Sequence, residues 1–347
     1  MFSRPAQLPP RPRHSRPALV AFVAAAAFIG LLGAACRDSR NEGGSAGKKK
    51  TLTLAVIPMG TTHEFWKAIH AGALTAAREL GAEILWKGPL KEDDRNEQIQ
   101  IVETLTNAGV DAIVLTPMDD KALVRPVEEA RRQGIPTVIF NSALQGDLHV
   151  AYVSTDNYRG GVIAAERIGQ LLQGRGTAIL IRVLASVEGS TKREAGFLDT
   201  MRSKFPNVQI LSDNQYAGVT TETAYQTTEN LLNRFPAVQA VFTPNESSTF
   251  GALRAIEDHG RAGRIIHVGF DSSKKLVEAL EKGSLAGLVL QDPFRMGYQS
   301  VATAVAHLRG ESYVRFVDTG VFMATPENRN DSDIRRLLTP DLAILER

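Results

Sequence analysis

TLTLAVIPMGTTHEFWKAIHAGALTAARELGAEILW, residues 51–86, decides the fold. A β-rich apolar run over 51–57, an amphipathic stretch over 64–80 and a second apolar run over 82–86 make a strand, a helix and a strand. The pattern then repeats outward, with helices over 94–108 and 122–133 and strands over 112–116 and 137–140. A second series begins near Asp156. Its helices lie over 158–172, 190–204, 221–234, 248–259 and 273–281, and its strands over 177–183, 208–212, 237–243, 264–270 and 285–290. Such repetition demands parallel strands with helices on both faces. Because strongly twisted open sheets rarely pass ~10 strands, the reading is α/β with two doubly wound parallel-sheet lobes of about five strands each. Local punctuation agrees: Asp94 to Glu97 has the form of a capping box with reciprocal bonds, and Gly109 and Gly134 stand where helices must stop.

A chain of 347 residues with 43% hydrophobic content is long enough for two cores. Its formal charge of +2 misleads, because Arg4, Arg11, Arg13 and Arg16 precede any acidic residue. Without them 36 basic side chains face 38 acidic ones, which argues against a nucleic-acid surface on the body. Residues 1–36 read as an export leader: an Arg/Pro-rich start, an apolar stretch over 18–35, then Cys36. The apolar stretch nears the ~18 residues that span a bilayer, so a retained anchor is the rival reading, and both place the body outside the cytoplasm. Cys36 is the single cysteine, which rules out a disulfide framework. It resembles a bacterial lipobox cysteine, with Leu32 four residues before it and Gly33 where Leu is usual. Residues 37–50, polar and rich in Gly and Lys, read as a flexible tether.

In open α/β sheets ligands bind at the carboxyl ends of strands, where loops and helix N-termini converge. The segments at those ends are PMGTTHEFW (58–66), NSALQ (141–145), TKREAGF (191–197), PNESSTFGALRA (244–255), DSSKK (271–275) and QDPFRMG (291–297). Hydrogen-bonding side chains recur there beside two aromatics, a lining suited to a hydroxylated molecule. Catalytic signatures are missing from the body: from residue 51 onward no phosphate-loop, dinucleotide or nucleophile-elbow motif occurs. HEFWKAIH (63–70) lacks the second zincin histidine, since Lys67 stands in its place. The expectation is therefore a non-enzyme with no cofactor and no metal.

Over residues 51–325 the sequence resembles the periplasmic sugar-binding proteins of the ribose-binding type, solute-binding components of ATP-driven importers. The carriers are Phe65-Trp66, IPTVIFN (135–141), STDNYRGG (154–161), KREAGF (192–197), VFTPNESSTFGALRA (241–255), VGFD (268–271) and LVLQDPFRMGY (288–298). The resemblance implies that Phe65 and Trp66 stack on the C–H faces of a sugar ring. It implies that Arg193, Asn245, Asp271 and Gln291 hydrogen-bond its hydroxyls, with Arg193 and Asp271 offsetting one another. His63 and Asn141 complete the candidate set. His63 and Glu64 fit a helix start as readily as a contact, and Asp156 and Asn157 fit a cap better than one. Two departures stand out. Asn141-Ser142 replaces the usual Asp-Arg pair, and His63-Glu64 replaces Asn-Pro, so the sugar's identity does not carry over. The aromatic expected after the second lobe's second strand aligns loosely with Tyr216.

Family topology implies three crossings, near Thr155 and Asp156, Gln291 and Asp292, and Asp318 and Thr319. The first lobe would comprise 51–155 with 292–318 and the second 156–291 with 319–326, leaving 327–347 as a tail. The expected molecule is a monomer, tethered through its N-terminus, that closes on a monosaccharide and docks on a membrane permease. A sensor docking on a receptor kinase is the alternative. A transcription regulator core of the lactose-repressor class is a third reading, opposed by the export leader where a DNA-binding domain would stand.

Overall fold

The computed structural model describes residues 50–346; the expected leader, nearly all of the tether and Cys36 lie outside the described residues. The first lobe opens with β1 (Leu52–Ile57), α1 (Glu64–Leu80), β2 (Ala82–Trp86), α2 (Arg95–Asn107), β3 (Ala112–Leu115), α3 (Val124–Arg132), β4 (Thr137–Phe140) and β5 (Ala151–Ser154). The chain then enters the second lobe with α4 (Asn157–Leu171), β6 (Arg175–Arg182), α5 (Glu188–Lys204), β7 (Asn207–Tyr216) and α6 (Thr221–Arg234). This lobe continues with β8 (Ala240–Phe242), α7 (Glu246–Asp258), β9 (Ile266–Phe270), α8 (Lys274–Glu281) and β10 (Gly287–Gln291). After α9 (Pro293–Leu308) come two short strands, β11 (Phe316–Asp318) and β12 (Val321–Ala324), then α10 (Ser332–Leu338) and a 3-10 turn over Ala343–Glu346.

Each sheet has six strands, in the order β11-β5-β4-β3-β1-β2 and β12-β10-β9-β8-β6-β7. Every pairing is parallel except that of β10 with β12, which is antiparallel. The sequence reading allowed about five strands a sheet, and the sixth in each is an edge strand of three or four residues, β11 or β12. Such strands carry too little pattern to be seen alone.

Alternation along β1 shows why helices cover both faces. Leu54 and Val56 join a core with Ile69 of α1 and Val301 of α9, while Ala55 and Ile57 join another with Val102 of α2 and Val127 of α3. The second lobe repeats this, with Leu180 packed with Ile168 and Phe197 on one face and Ile179 with Leu231 and Ile256 on the other.

The lobes exchange helices. β5 belongs to the first sheet and its following helix, α4, packs on α5 of the second lobe; β10 belongs to the second sheet, and α9 packs back on α1. Both helix pairs cross at glycine. A Cβ on Gly72 of α1 would stand 1.9 Å from the Phe294 carbonyl oxygen of α9, and one on Gly196 of α5 would stand 2.1 Å from the Tyr158 oxygen of α4. Glycine alone lets the backbones approach this closely.

The capping reading is corrected in part. Asp94 accepts the Glu97 N–H at 2.9 Å, but the Asp94 N–H donates to the Lys91 carbonyl, so the reciprocal bond is absent. Asp156 caps α4 through the Arg159 N–H, as its sequence position indicates.

Candidate functional site

Two strand ends hold residues in the left-handed region: Asn141 after β4 at φ 60° and Asp271 after β9 at φ 67°. Asn and Asp tolerate that conformation better than other non-glycine residues. The Asn141 N–H donates to Val153 of β5 and the Asp271 N–H to Val289 of β10, so corresponding turns in the two lobes aim corresponding side chains at the space between them.

That space is a cavity lined by both lobes. The first lobe contributes Met59, His63, Phe65, Trp66, Glu92 and Asn141. The facing wall comes from the second lobe and the crossing at Gln291, with Arg193, Asn245, Glu246 and Asp271 among its polar members. Every candidate of the sequence reading within the described residues lines it: His63, Phe65, Trp66, Asn141, Arg193, Asn245, Asp271 and Gln291. Cys36, the expected lipid attachment site, lies outside the described residues. Phe65 and Trp66 meet edge to face, 4.9 Å between centroids at 78°, and so form an apolar corner.

Arg193 is 5% exposed and held on three sides. Its Nε donates to Asn157 Oδ1 at 2.8 Å, its Nη1 donates to the Pro244 carbonyl at 2.8 Å, and its guanidinium lies 3.9 Å over the Phe270 ring. Burial lowers its pKa from the ordinary value against the pull of Asp271, and a guanidinium stays charged regardless. No direct ion pair joins Arg193 to Asp271 among the described residues. Asp271 instead accepts Gln291 Nε2 at 2.7 Å and the Glu246 N–H at 3.2 Å. Burial raises the Asp271 pKa, opposed by the Arg193 charge, so the two offset one another through the field.

Two acceptors are left over. Asn141 Oδ1 and Gln291 Oε1 are buried without a hydrogen-bond partner, in side chains 8% and 3% exposed. A buried acceptor left unmade costs about 1–3 kcal/mol, a cost that a ligand hydroxyl pointed at it would remove.

Asn245 also lines the cavity, yet it is committed as the N-cap of α7. Its Oδ1 accepts the Ser248 N–H at 3.1 Å and its Nδ2 donates to Ser247 Oγ at 3.0 Å. Tyr216 is corrected outright: it is 48% exposed at the end of β7, and Val219 lines the cavity from that loop. β7 slips twice in register against β6 before that end.

Glu92 and Glu246 escaped the sequence reading. Glu92 Oε1 accepts both Trp66 Nε1 and His63 Nδ1, each at 2.6 Å, pinning the aromatic corner. Burial would lower the His63 pKa, but the hydrogen bond and charge of Glu92, with the charges of Glu246 and Asp271, outweigh it and raise the value to about 9. Glu246 opens α7, and its carboxylate accepts the N–H groups of Glu64 and Phe65. Burial pushes its pKa up to about 7 against the opposing His63 charge. In sequence Glu92 sits in the polar run KEDD and Glu246 in a first helical turn, where a carboxylate is favourable without any function. Among the described residues no group of three or more His, Cys, Asp or Glu is placed to hold a metal ion.

Comparison with known proteins comes to the same architecture. Residues 54–312 match the family described as periplasmic binding protein domain. The ribose import binding protein of Bacillus subtilis (strain 168) is 28% identical over 283 residues, spanning 81% of this chain and 90% of that protein. A solved carbohydrate transporter solute-binding protein from Agrobacterium radiobacter, in complex with D-arabinose, has a TM-score of 0.80 at 31% identity over 83% of this chain and 99% of that one. A solved ABC transporter solute-binding protein from Agrobacterium vitis with bound D-fucose gives 0.80 at 31% identity, over 83% of this chain and all 100% of that one.

Proposed function

This chain belongs to the periplasmic binding protein family, and from that premise we propose that it is a non-enzymatic extracytoplasmic protein that closes two lobes on a neutral monosaccharide and delivers it to an ATP-driven importer. The observation that carries this reading is the pair of buried, unpartnered amide oxygens, Asn141 Oδ1 and Gln291 Oε1, beside an apolar aromatic corner. Hydroxyl protons satisfy such oxygens and a sugar's C–H face covers the rings, whereas a phosphate or carboxylate would meet an acceptor-rich wall.

In this reading Phe65 and Trp66 stack on the ring, while Arg193, Asp271, Asn141 and Gln291 bond hydroxyls. Glu92 replaces the carboxylate that Asn141 lacks. One of its oxygens is taken by His63 and Trp66, and the other makes no hydrogen bond among the described residues. Asn245 acts chiefly through its cap. The lobes comprise 51–155 with 292–318 and 156–291 with 319–326. A leader ending at a lipidated Cys36 tethers the monomer at the membrane, where the closed form docks on a permease.

Thermal-shift screening of pentoses, hexoses and pentitols against the purified protein tests the reading. At least one should raise the melting temperature by several degrees at millimolar concentration, since a ligand at about 100 Kd adds ~2.7 kcal/mol. A flat response across the panel would refute sugar capture.

A further inference from the structure

Glu246 is the first residue of α7 in the second lobe, yet its carboxylate serves the first helix of the other lobe. Oε1 accepts the Glu64 N–H at 3.4 Å and Oε2 accepts the Phe65 N–H at 3.2 Å. His63, the N-cap of α1, makes no side-chain capping bond of its own. The first turn of α1 is therefore capped from across the cleft, and opening the lobes removes the cap.

Among the described residues three other bonds join the lobes here: the Ala143 N–H to Glu188, the Gly189 N–H to Ser142 Oγ and Asn157 Nδ2 to the Asn141 carbonyl. All three involve the loop after β4, which neighbours the crossing strand β5, whereas α1 follows β1, two strands further out in the sheet. The Glu246 contact thus acts on a longer lever from the crossings. The charged and titratable groups that line the cavity with it stand on the neighbouring elements: His63 before α1, Glu92 after β2, Arg193 on α5 and Asp271 after β9.

Resting on the lobe-closure reading above, we propose that Glu246 is a latch, a positioning residue that holds the lobes shut by capping α1 in trans and does so without bonding the sugar. Protonation of the carboxyl changes what it offers the α1 amides and removes a buried charge from among Glu92 and Asp271. The lobe equilibrium is therefore coupled to pH.

The test uses the full chain in detergent, carrying Cys36→Ser with Glu103→Cys on α2 and Gln226→Cys on α6, both exposed positions. Nitroxide labels there report the distance between lobes by pulsed electron resonance. Without sugar, the chain should show a short-distance population at pH 6, larger than at pH 8. Glu246→Ala should lower the closed-to-open ratio about tenfold, as expected for losing two bonds to a charged acceptor. Glu246→Gln, which keeps an acceptor and its size, should retain the population and lose its change between pH 5 and 8. A single long distance at pH 6, an unchanged ratio in Glu246→Ala, or a pH response surviving in Glu246→Gln would overturn the latch. Adding D-arabinose with D-fucose separates the two claims: failure of these sugars to shift the distances speaks against them as ligands, while the latch stands or falls on the sugar-free ratios.

Discussion

Arg193 spends Nε and Nη1 on Asn157 and Pro244 and rests on Phe270, so its head is fixed before any ligand arrives. Pre-organised charged donors make the stronger hydrogen bonds. Arg193→Met should weaken sugar binding by about tenfold or more, as measured by isothermal titration, and unchanged affinity would remove Arg193 from the site. Asn245→Ala should behave differently. Loss of the α7 cap costs about 1 kcal/mol in urea unfolding, with affinity changing less than about threefold; a loss of affinity without a loss of stability would reverse the assignment. The contrast marks what sequence conveys at this scale. Polar residues at strand ends were legible as a group, because parallel strands bring their ends together. Whether an amide there faces a ligand or its own helix was not, since Asn245 reads the same in both roles. Glu92 and Glu246 were hidden because a charge in a polar loop or first helical turn is indistinguishable from a solvated one until the other lobe is in place.

The α1–α9 and α4–α5 crossings hold the exchanged helices against their new lobes, and glycine sets their closeness. Gly72→Ala or Gly196→Ala pushes a methyl into a carbonyl oxygen about 2 Å away. Each should cost roughly 1–3 kcal/mol in urea unfolding, the Gly72 change loosening the first lobe and the Gly196 change the second. A cost near zero would mean that the crossings relax freely. Long elements read cleanly: α1 is Glu64–Leu80 and α6 is Thr221–Arg234, as their periodicity indicates. Three of the short ones did not. β5, β11 and β12 have three or four residues, and their strand character comes from neighbours in the sheet. α9 was masked because its opening QDPFRMG reads as a strand-end loop, where Asp292 in fact caps the helix and Pro293 starts it.

In the proposed closed form Glu246 is buried against α1 and binds a proton more tightly than in an open cleft, whereas His63 is held chiefly by Glu92 of its own lobe. Burial raises Glu246 from 4.5 to about 7, and His63 rises from 6.5 to about 9 because Glu92, Glu246 and Asp271 outweigh its burial. A group whose pKa is raised in the closed form favours closure fully below its open-form value, and loses that contribution as pH rises through its closed-form value. Through Glu246, sugar affinity should therefore fall as pH rises from about 5 to 7, and Glu246→Gln should abolish that fall. Affinity rising with pH would contradict this. His70 and His267, lowered by burial to about 4 and about 3, act in the opposite sense on folding. Each lies within one lobe, so acid should weaken the lobes while favouring closure. The two-lobe plan was legible from βαβ repetition, whereas the places of Glu92 and Glu246 in the cavity were not, because they arise only when loops distant in sequence meet in the fold. The most direct test of the central claim, that these scattered residues form one sugar site, is isothermal titration with D-ribose, D-arabinose, D-fucose and D-allose, repeated on Arg193→Met and Asp271→Asn. The account predicts one-to-one binding of at least one of them in the micromolar range or tighter and a loss of about tenfold or more in both variants; no binding of any of them, or equal binding by all three proteins, would contradict it.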